Sequence, residues 1–262
     1  MKRLQSFADM DWIKEGVIPH VGDGCSVASC IPATFPAYAK LFHPICEDLS
    51  VADDGSTWQD EEVKSAFDKP APKSPTEQVL QDILREATTV YGGAQPSATL
   101  RQIRWAKLAE QLDMPFVATL SSWSFTRRFP GGSWPRRLIG PDEGFLQALQ
   151  RDMLAKILRR HTAIDHCFFF VWYLATTSWE SDLMFEGSLS DVSLFPDKVD
   201  GVRFTPTNWF PADRTWLIHT DYDLTFTLIG GSQSLVDDLI TDPFLECVAV
   251  QPETRVDYKA DL

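Results

Sequence analysis

The chain lacks a hydrophobic run long enough to cross a lipid bilayer. Its longest apolar stretch, CFFFVWYLA at residues 167–175, is well short of the roughly twenty residues that a transmembrane helix needs. The first residues, MKRLQSFADMDWIKEG, begin with a basic pair but have no apolar stretch behind it, so they do not look like a secretory signal. We therefore expect a cytoplasmic protein with no membrane partner.

Cysteines are few, and their spacing is poor for a disulfide scaffold or a structural zinc site. No CxxC pair occurs among the five, which are Cys25, Cys30, Cys46, Cys167 and Cys247. Cys25, Cys30, His43 and Cys46 form a loose group, but only the last two have the spacing of zinc ligands. We expect reduced, buried thiols, no metal and no cofactor.

The short motifs that often reveal catalysis are also missing. The sequence contains no GxSxG, the motif of a serine nucleophile elbow. Neither GxxxxGK[ST] nor GxGxxG is present to open a helix after a strand. A nucleotide-binding fold is therefore not supported, and no motif assigns a function by itself.

The chain does have an excess of negative charge. Its 37 acidic residues outnumber 24 Lys and Arg, which gives a formal net charge of −13. Such a surface repels nucleic acid and anionic lipid, and it speeds the encounter with a basic protein. We expect a basic protein partner and no nucleic-acid partner; the alternative is that the charge serves solubility alone. The oligomeric state is left open.

Much of the acidity lies in residues 47–68, just before a proline-rich connector, KPAPKSP, at residues 69–75. Proline lacks a backbone donor and resists helix, so the connector should be extended. We interpret residues 1–262 as a single α+β domain with an acidic, Pro-rich insertion at about 47–75; division into two lobes at the connector is the alternative. The expected partner-binding carboxylates of this insertion are Asp53, Asp54, Asp60, Glu61 and Glu62.

Hydrophobic periodicity predicts the elements of this fold. Helices are expected near residues 58–67, 76–90, 98–112 and 141–161. Strands are expected at residues 26–31, 37–42, 116–120, 167–175, 183–185, 192–195, 202–204, 216–222, 224–229 and 245–250. Ser232 should cap a helix between the last two strands, which makes a ββαβ unit. We predict a mixed, mostly antiparallel β-sheet with helices packed on one face, in which strand 26–31 pairs with 37–42 and strand 167–175 is central.

A loop at residues 127–137, RRFPGGSWPRR, joins basic and aromatic side chains. Arginine beside an aromatic ring is one way to hold phosphate or a stacked base. The residues that would do so are Arg127, Arg128, Trp134, Arg136 and Arg137. The alternative is a solvated connection whose arginines pair with acidic residues of the same protein.

The segment HTDYD offers the best catalytic arrangement. His219, Asp221 and Asp223 alternate along a predicted strand, so their side chains should share one face. A histidine and two carboxylates could hold a divalent metal. A metal site also needs a further ligand that the sequence does not identify, so the alternative is the polar side of an edge strand with a turn at Asp221.

Several blocks resemble segments of a group of bacterial proteins without an assigned activity. The blocks are WFPADRTW, the Gly230-Gly231-Ser232 turn with LVDDLITDPFLE, SVASCIP with FPAYAKLFHP, and HCFFFVWY. The resemblance covers about half of the chain in scattered pieces. It implies a single bacterial cytoplasmic fold and no site residue.

These observations favour a non-enzymatic acidic binding protein, in concrete form an immunity or antitoxin protein that neutralises a basic toxin. Abundant aromatic residues, including nine Trp, would supply interface anchors. One alternative is a small-molecule or phosphate-handling enzyme, such as a metal-dependent hydrolase, that uses the 127–137 loop and the HTDYD strand. Another is a scaffold without a distinct site.

Overall fold

The computed structural model describes residues 1–19, 24–61, 98–257 and 259–260. The chain divides into two compact units. Unit 1 consists of Met1–His43, Val117–Ser121 and Gly144–Leu262, and unit 2 of Pro44–Phe116 and Ser122–Glu143. The predicted helix 76–90, the connector 69–75 and Glu62 lie outside the described residues. The single domain with an insertion at 47–75 stays a prediction.

The described residues form strands and helices throughout both units. In chain order the strands are β1 (Lys2–Leu4), β2 (Ala37–Phe42), β3 (Ile45–Asp48), β4 (Leu100–Ile103), β5 (Leu138–Ile139), β6 (His166–Val171), β7 (Leu183–Ser188), β8 (Asn208–Pro211), β9 (Leu217–His219), β10 (Phe226–Gly231) and β11 (Cys247–Val250). The α-helices are α1 (Asp11–Gly16), α2 (Val27–Cys30), α3 (Trp105–Gln111), α4 (Ser122–Thr126), α5 (Ala148–Arg160) and α6 (Gln233–Thr241). Short 3₁₀ helices lie at Ala8–Met10, Pro130–Gly132, Tyr173–Ala175 and Leu189–Leu194. No helix of the described residues is long and apolar enough to span a membrane.

Unit 1 is built on an eight-stranded sheet with the order β1-β7-β6-β8-β9-β10-β2-β11, in which neighbouring strands run antiparallel. Its two faces follow from the two-residue period of a strand. In β6, Cys167, Phe169 and Val171 enter one core, and Phe168 and Phe170 enter the other. The part of the predicted strand 167–175 that lies in β6 is therefore covered on both faces, as expected. Its last residues, Tyr173–Ala175, form a 3₁₀ helix instead of continuing the strand.

The longer helices of unit 1 cover one of these faces. Apolar residues of α5 and α6 join the same core as Phe169; they are Leu154, Ile157, Leu158, Leu235, Val236 and Leu239. The short helices contribute to the opposite core, with Ile13 of α1 and Val27 of α2 buried in it and Trp12 and Cys30 packed against it. The α+β class with a mostly antiparallel sheet is confirmed.

The C-terminal ββαβ unit is also confirmed. It consists of β9, β10, α6 and β11, and the Ser232 hydroxyl accepts a hydrogen bond from the Leu235 amide at 3.2 Å, as an N-cap does. Gly230 and Gly231 belong to the end of β10 rather than to a free turn. A β-carbon on Gly230 would lie 2.5 Å from a ring carbon of Phe35, so glycine permits this close packing.

A buried lysine explains why residues 116–120 are not the strand that was predicted. Lys40 is fully buried in β2, and its Nζ donates to the carbonyl oxygens of Ala118 and Leu120 at 3.2 and 2.6 Å. The same ammonium lies 4.1 Å from the ring centroid of Phe226. These carbonyls thus receive a side-chain donor in place of a neighbouring strand, as buried backbone groups must find a partner.

Three other segments that were predicted to be strands have a different structure, and in two of them a capping box begins a helical turn. Residues 26–31 are not a strand: Ser26 and Ser29 form a capping box that starts α2. Consequently β2 pairs with β10 and β11 and not with this segment. Residues 192–195 lie in and just after the 3₁₀ helix that a second capping box, Ser188 with Asp191, begins. Residues 202–204 contribute one isolated bridge, between Val202 and Thr176, and no strand.

Two predicted helices begin later than expected. Residues 100–103 of the predicted helix 98–112 form β4, which pairs with β3, and only the second half is helical. The helix predicted from residue 141 begins at Ala148. Gly144 has a φ of +64°, a conformation that a right-handed helix does not contain.

Unit 2 contains the three-stranded antiparallel sheet β4-β3-β5 and helices α3 and α4. The predicted helix near residues 58–67 begins at Trp58 and is described as far as Glu61. An aromatic cluster holds the unit together. Rings of Trp105 and Phe125 lie 5.2 Å apart, and Trp134 packs on Phe125 and Phe129 with centroid distances of 6.1 and 5.1 Å.

Candidate functional site

The HTDYD segment of unit 1 does not run as one strand. Strand β9 ends at His219, and the chain then turns, with the Leu224 amide bonded to the Asp221 carbonyl at 3.3 Å. The predicted alternation of three side chains on one strand face is therefore wrong. Of the alternative interpretation, the turn at Asp221 is confirmed, but the edge strand is not, because β9 lies between β8 and β10 and His219 is buried. Aspartate is a common turn residue because its side chain bonds to nearby backbone. We call residues 221–223 the acidic turn.

The acidic turn nevertheless places a carboxylate beside His219. Oδ2 of Asp221 lies 3.9 Å from Nε2 of His219, which is too far for a hydrogen bond. Gly144 holds the turn from the other side: its amide donates to the Leu224 carbonyl at 3.0 Å. A β-carbon at Gly144 would lie 2.7 Å from the Tyr222 backbone, so only glycine allows this approach.

His219 is buried, with 8% of its surface exposed, and its protonation is set by a neighbour. The Asn208 amide nitrogen lies 3.1 Å from Nδ1 of the imidazole. Because that amide nitrogen only donates, Nδ1 accepts, and the proton of the neutral ring is on Nε2. Nε2 has no hydrogen-bond partner. Burial lowers the pKa of His219 to about 4, so the ring is neutral at pH 7.

The two carboxylates of the acidic turn hold protons more tightly than usual. Loss of water on burial raises the pKa of Asp221, whose Oδ1 is buried without a hydrogen-bond partner. Asp223 is the more exposed of the two, yet partial desolvation and the charge of Asp221 raise its pKa to about 6. Two carboxylates that share a poorly hydrated site resist double ionisation. Among the described residues, no Lys or Arg forms an ion pair with either one.

Aromatic rings lie next to the acidic turn. The Trp172 ring is 5.6 Å from Tyr222 and 5.2 Å from Tyr173, centroid to centroid. Tyr173 is 37% exposed. Faces of Trp and Tyr attract cations, and both residues are frequent in binding interfaces. Negative charge and aromatic surface are therefore combined at one place in unit 1.

The sequence pointed to His219, Asp221 and Asp223 but missed the residues around them. Asn208, Trp172 and Tyr173 are distant in the sequence and reach the site because β6, β8 and β9 are neighbours in the sheet. No local pattern marked them. Among the described residues, no group of three or more His, Cys, Asp and Glu side chains has the arrangement of a metal site. A metal at HTDYD stays a prediction without a supporting ligand set.

In unit 2, arginines of the loop at residues 127–137 form ion pairs with carboxylates of residues 47–61, which we call the acidic segment. Arg137 contacts Glu47 at 2.8 Å and Asp53 at 3.3 Å, and Arg136 contacts Glu61 at 3.3 Å. Glu47 is 6% exposed and also pairs with Arg101. These contacts agree with the alternative interpretation, in which the arginines form ion pairs with acidic residues of the same protein.

The other predicted residues of unit 2 have local roles in the structure. Trp134 donates from Nε1 to the Thr126 hydroxyl at 2.8 Å, and its ring is packed in the aromatic cluster. The Asp60 carboxylate accepts a hydrogen bond from the Thr57 amide, and the Asp54 carboxylate accepts one from the Ser56 amide. Arg127 and Arg128 are exposed after the end of α4. A role of this loop in holding phosphate stays a prediction.

Unit 2 also contains a cavity of about 660 Å³. Its polar wall includes Glu47, Arg101, Lys107 and Arg137, and its apolar wall includes Leu108 and Phe129. Three of these polar groups are joined by the ion pairs of Glu47, and Lys107 pairs with Glu110 at 2.6 Å. The charges that line the cavity are thus largely balanced within the unit.

No family model, curated protein or solved structure matches the chain. The resemblance of the WFPADRTW, GGS and LVDDLITDPFLE blocks to a bacterial group stays a prediction.

Proposed function

We propose that the protein is a non-enzymatic binding protein whose acidic turn receives a basic side chain of a protein partner. An immunity or antitoxin protein that neutralises a basic toxin is the concrete form of this proposal. The net charge of −13 supports it, since such a charge attracts a basic partner over distance. The carboxylates of residues 47–61 that pair with arginines are less suitable for contacting a basic partner, because arginines of the same protein already neutralise their charge.

The observation that carries the proposal is the pair Asp221 and Asp223, which has no Lys or Arg partner within the part of the chain that the structure describes. Their raised pKa values show that ionisation costs free energy in this setting. An arriving Lys or Arg would remove that cost, and the nearby rings of Trp172 and Tyr173 would add cation–π contact. Affinity should therefore increase as the pH rises through about 6, where Asp223 loses its proton.

The test uses each basic protein encoded beside this gene, purified and titrated against the full chain by calorimetry. We expect a complex that weakens as salt is added, because exposed charge attraction is screened. The double variant Asp221→Asn, Asp223→Asn should weaken it by about tenfold or more. Asp237→Asn, an exposed position on α6, is the matched control and should leave the affinity unchanged.

Two outcomes would contradict this placement. One is equal affinity of the wild type and the double variant, with a loss instead on Asp54→Asn and Asp60→Asn in unit 2. That result would place the contact with the basic partner in the acidic segment of unit 2, and not in the acidic turn. The other is the absence of binding by every neighbouring basic protein, which would remove the binding proposal itself.

An enzyme is the second candidate, and one feature favours it. His219 presents an unpartnered Nε2–H beside Asp221, and the pKa of Asp223 is near 6, which suits a general acid or base. The substrate would be a small molecule, such as a carboxylic or phosphate ester. Hydrolysis of p-nitrophenyl phosphate or p-nitrophenyl acetate should then require Asp223 and depend on pH near 6. Equal turnover by Asp223→Asn would exclude this candidate for those substrates.

A further inference from the structure

Two half-buried thiols in unit 1 touch each other. Sγ of Cys25 lies 3.8 Å from Sγ of Cys30. The contact follows from the capping box that overturned the predicted strand. Cys25 directly precedes the N-cap Ser26, and Cys30 ends the single helical turn α2, so the chain brings the two side chains together over one turn.

The position of this turn is fixed by the segment at residues 252–257. The Cys25 amide donates to the Asp257 carboxylate at 2.9 Å, and the Cys25 carbonyl accepts from Val256 at 2.8 Å. The amides of Val27 and Ala28 donate to the carbonyls of Thr254 and Pro252 at 3.0 and 2.9 Å. Bonds on both sides of the turn keep the sulfur atoms adjacent. A disulfide needs a sulfur separation near 2.05 Å, so its formation requires the two side chains to rotate towards each other from their present contact.

The two thiols differ in reactivity. The hydrogen bond from the Cys30 thiol is the main reason that the pKa of Cys25 is lowered. The pKa of Cys30 is raised, because its thiol donates that hydrogen bond, because it is buried, and because the charges of Asp221 and Asp223 lie nearby. Cys25 therefore ionises more readily than Cys30 and is the better nucleophile of the two, and Cys30 is the thiol that reacts second. The remaining cysteines are buried, and burial raises the pKa of Cys167 to about 12.

We propose that Cys25 and Cys30 form a thiol–disulfide exchange site that reacts with a low-molecular-weight disulfide. The Cys25 thiolate attacks one sulfur of oxidised glutathione, forming a mixed disulfide and releasing a glutathione thiolate, which takes a proton from water. Cys30 then gives its proton to solvent and attacks the Cys25 sulfur. The second glutathione leaves, so two protein thiols are oxidised and one disulfide is reduced to two thiols.

Mass spectrometry of the full-length native protein tests this reaction. The protein is incubated with oxidised glutathione, free thiols are blocked with N-ethylmaleimide, and the chain is digested with trypsin. Both cysteines lie in the peptide of residues 15–40. We expect this peptide to become two hydrogens lighter and resistant to the blocking reagent, and dithiothreitol should reverse the change. The other three cysteines should remain free, because they are buried.

Two variants assign the roles. Cys30→Ser should stop at a glutathione adduct on Cys25, since no thiol is left to resolve it. Cys25→Ser should slow the reaction at Cys30 by about tenfold or more, because Cys30 is the weaker nucleophile. Circular dichroism of both variants checks that each is folded.

The wild-type measurement decides the proposal even where a variant fails to fold. A wild-type protein that keeps both thiols free, or that accumulates the mixed disulfide without the 25–30 link, would overturn it. So would a disulfide that joins Cys25 to any other cysteine. Neither result would bear on binding of a basic partner by the acidic turn.

Discussion

Asn208 and His219 face each other directly across strands β8 and β9, and the amide of one orients the imidazole of the other. The two residues are register partners, and Asn208 Nδ2 lies 3.1 Å from His219 Nδ1. This bond directs the opposite nitrogen, Nε2, towards Asp221. The ring is therefore held in one tautomer and one orientation by a neighbour in the sheet, which makes its titration a sensitive measure of the site.

We expect His219 to make the protein less stable in acid. Its pKa is about 4 in the folded chain against an ordinary 6.5, so the unfolded chain binds a proton first as the pH falls. Stability from the neutral ring is complete above pH 6.5 and is lost down to about pH 4, by up to about 3 kcal/mol. Urea unfolding at several pH values should show that His219→Gln removes this dependence. An unchanged slope in the variant would contradict the prediction.

Asp223 should act in the opposite direction over the same range. Its pKa is raised from 3.8 to about 6, so the folded chain keeps a proton that the unfolded chain has lost. Stability therefore decreases as the pH rises from about 4 to 6, and the cost remains at higher pH. Asp223→Asn should be more stable than the wild type at pH 7 and should lose that advantage at pH 4. Equal unfolding midpoints of the two proteins at pH 7 would count against this.

The N-cap of α6 should contribute measurably to stability. The Ser232 hydroxyl accepts from the Leu235 amide at 3.2 Å, and Ser232→Ala removes the acceptor. We expect a loss of about 1 kcal/mol in the free energy of unfolding. Ser234→Ala, whose hydroxyl contacts that of Ser232 at 3.0 Å, is the matched control and should change little. A larger loss in the control than in Ser232→Ala would reverse the assignment.

Gly230 should not tolerate a side chain. Its added β-carbon would lie 2.5 Å from a Phe35 ring carbon and 3.0 Å from Ile31 Cγ2. Gly230→Ala should reduce the free energy of unfolding by roughly 1–3 kcal/mol through overpacking. Gly24→Ala is the control, because its nearest contact would be 3.7 Å from an Arg255 nitrogen. Thermal unfolding of both variants compares them, and equal midpoints would show that Phe35 moves aside freely.

In unit 2 the buried carboxylate should matter more than the exposed one. Glu47 pairs with Arg101 and Arg137 while its side chain is 8% exposed, whereas the side chain of Glu61 is 40% exposed beside Arg136. Glu47→Gln leaves two arginines without their shared partner and should cost about 2 kcal/mol. Glu61→Gln should cost less than about 1 kcal/mol. Denaturant titration ranks the two variants, and the reverse order would contradict the burial argument.

The sequence predicted the sheet best where a strand is long and covered on both sides. The strand at residues 167–171 and the ββαβ unit were found because their apolar runs or cap residues are local signals. Segments governed by capping boxes or by distant partners were not. Ser26 with Ser29 formed a helical turn where alternation had predicted a strand. Lys40 donates hydrogen bonds to the carbonyl oxygens of Ala118 and Leu120, which lie far along the chain, so no local sequence pattern could predict these contacts.

For the site, residue types were recognised but their arrangement was not. Alternation suggested that His219, Asp221 and Asp223 lie along one strand, but turn chemistry ended β9 at His219. The raised pKa values of the carboxylates depend on burial, which follows from packing and not from spacing. The contact of Cys25 with Cys30 depends on the same capping box that the strand pattern concealed.

The order of strands in the eight-stranded sheet has a consequence for synthesis on the ribosome. Strand β2 leaves the ribosome well before both of its sheet neighbours, β10 and β11, are translated. The nascent chain therefore carries β2 without either neighbour until those strands emerge, a state that chaperones recognise by its exposed apolar residues. Folding of this sheet is a late event that closes long loops, and such topologies fold slowly.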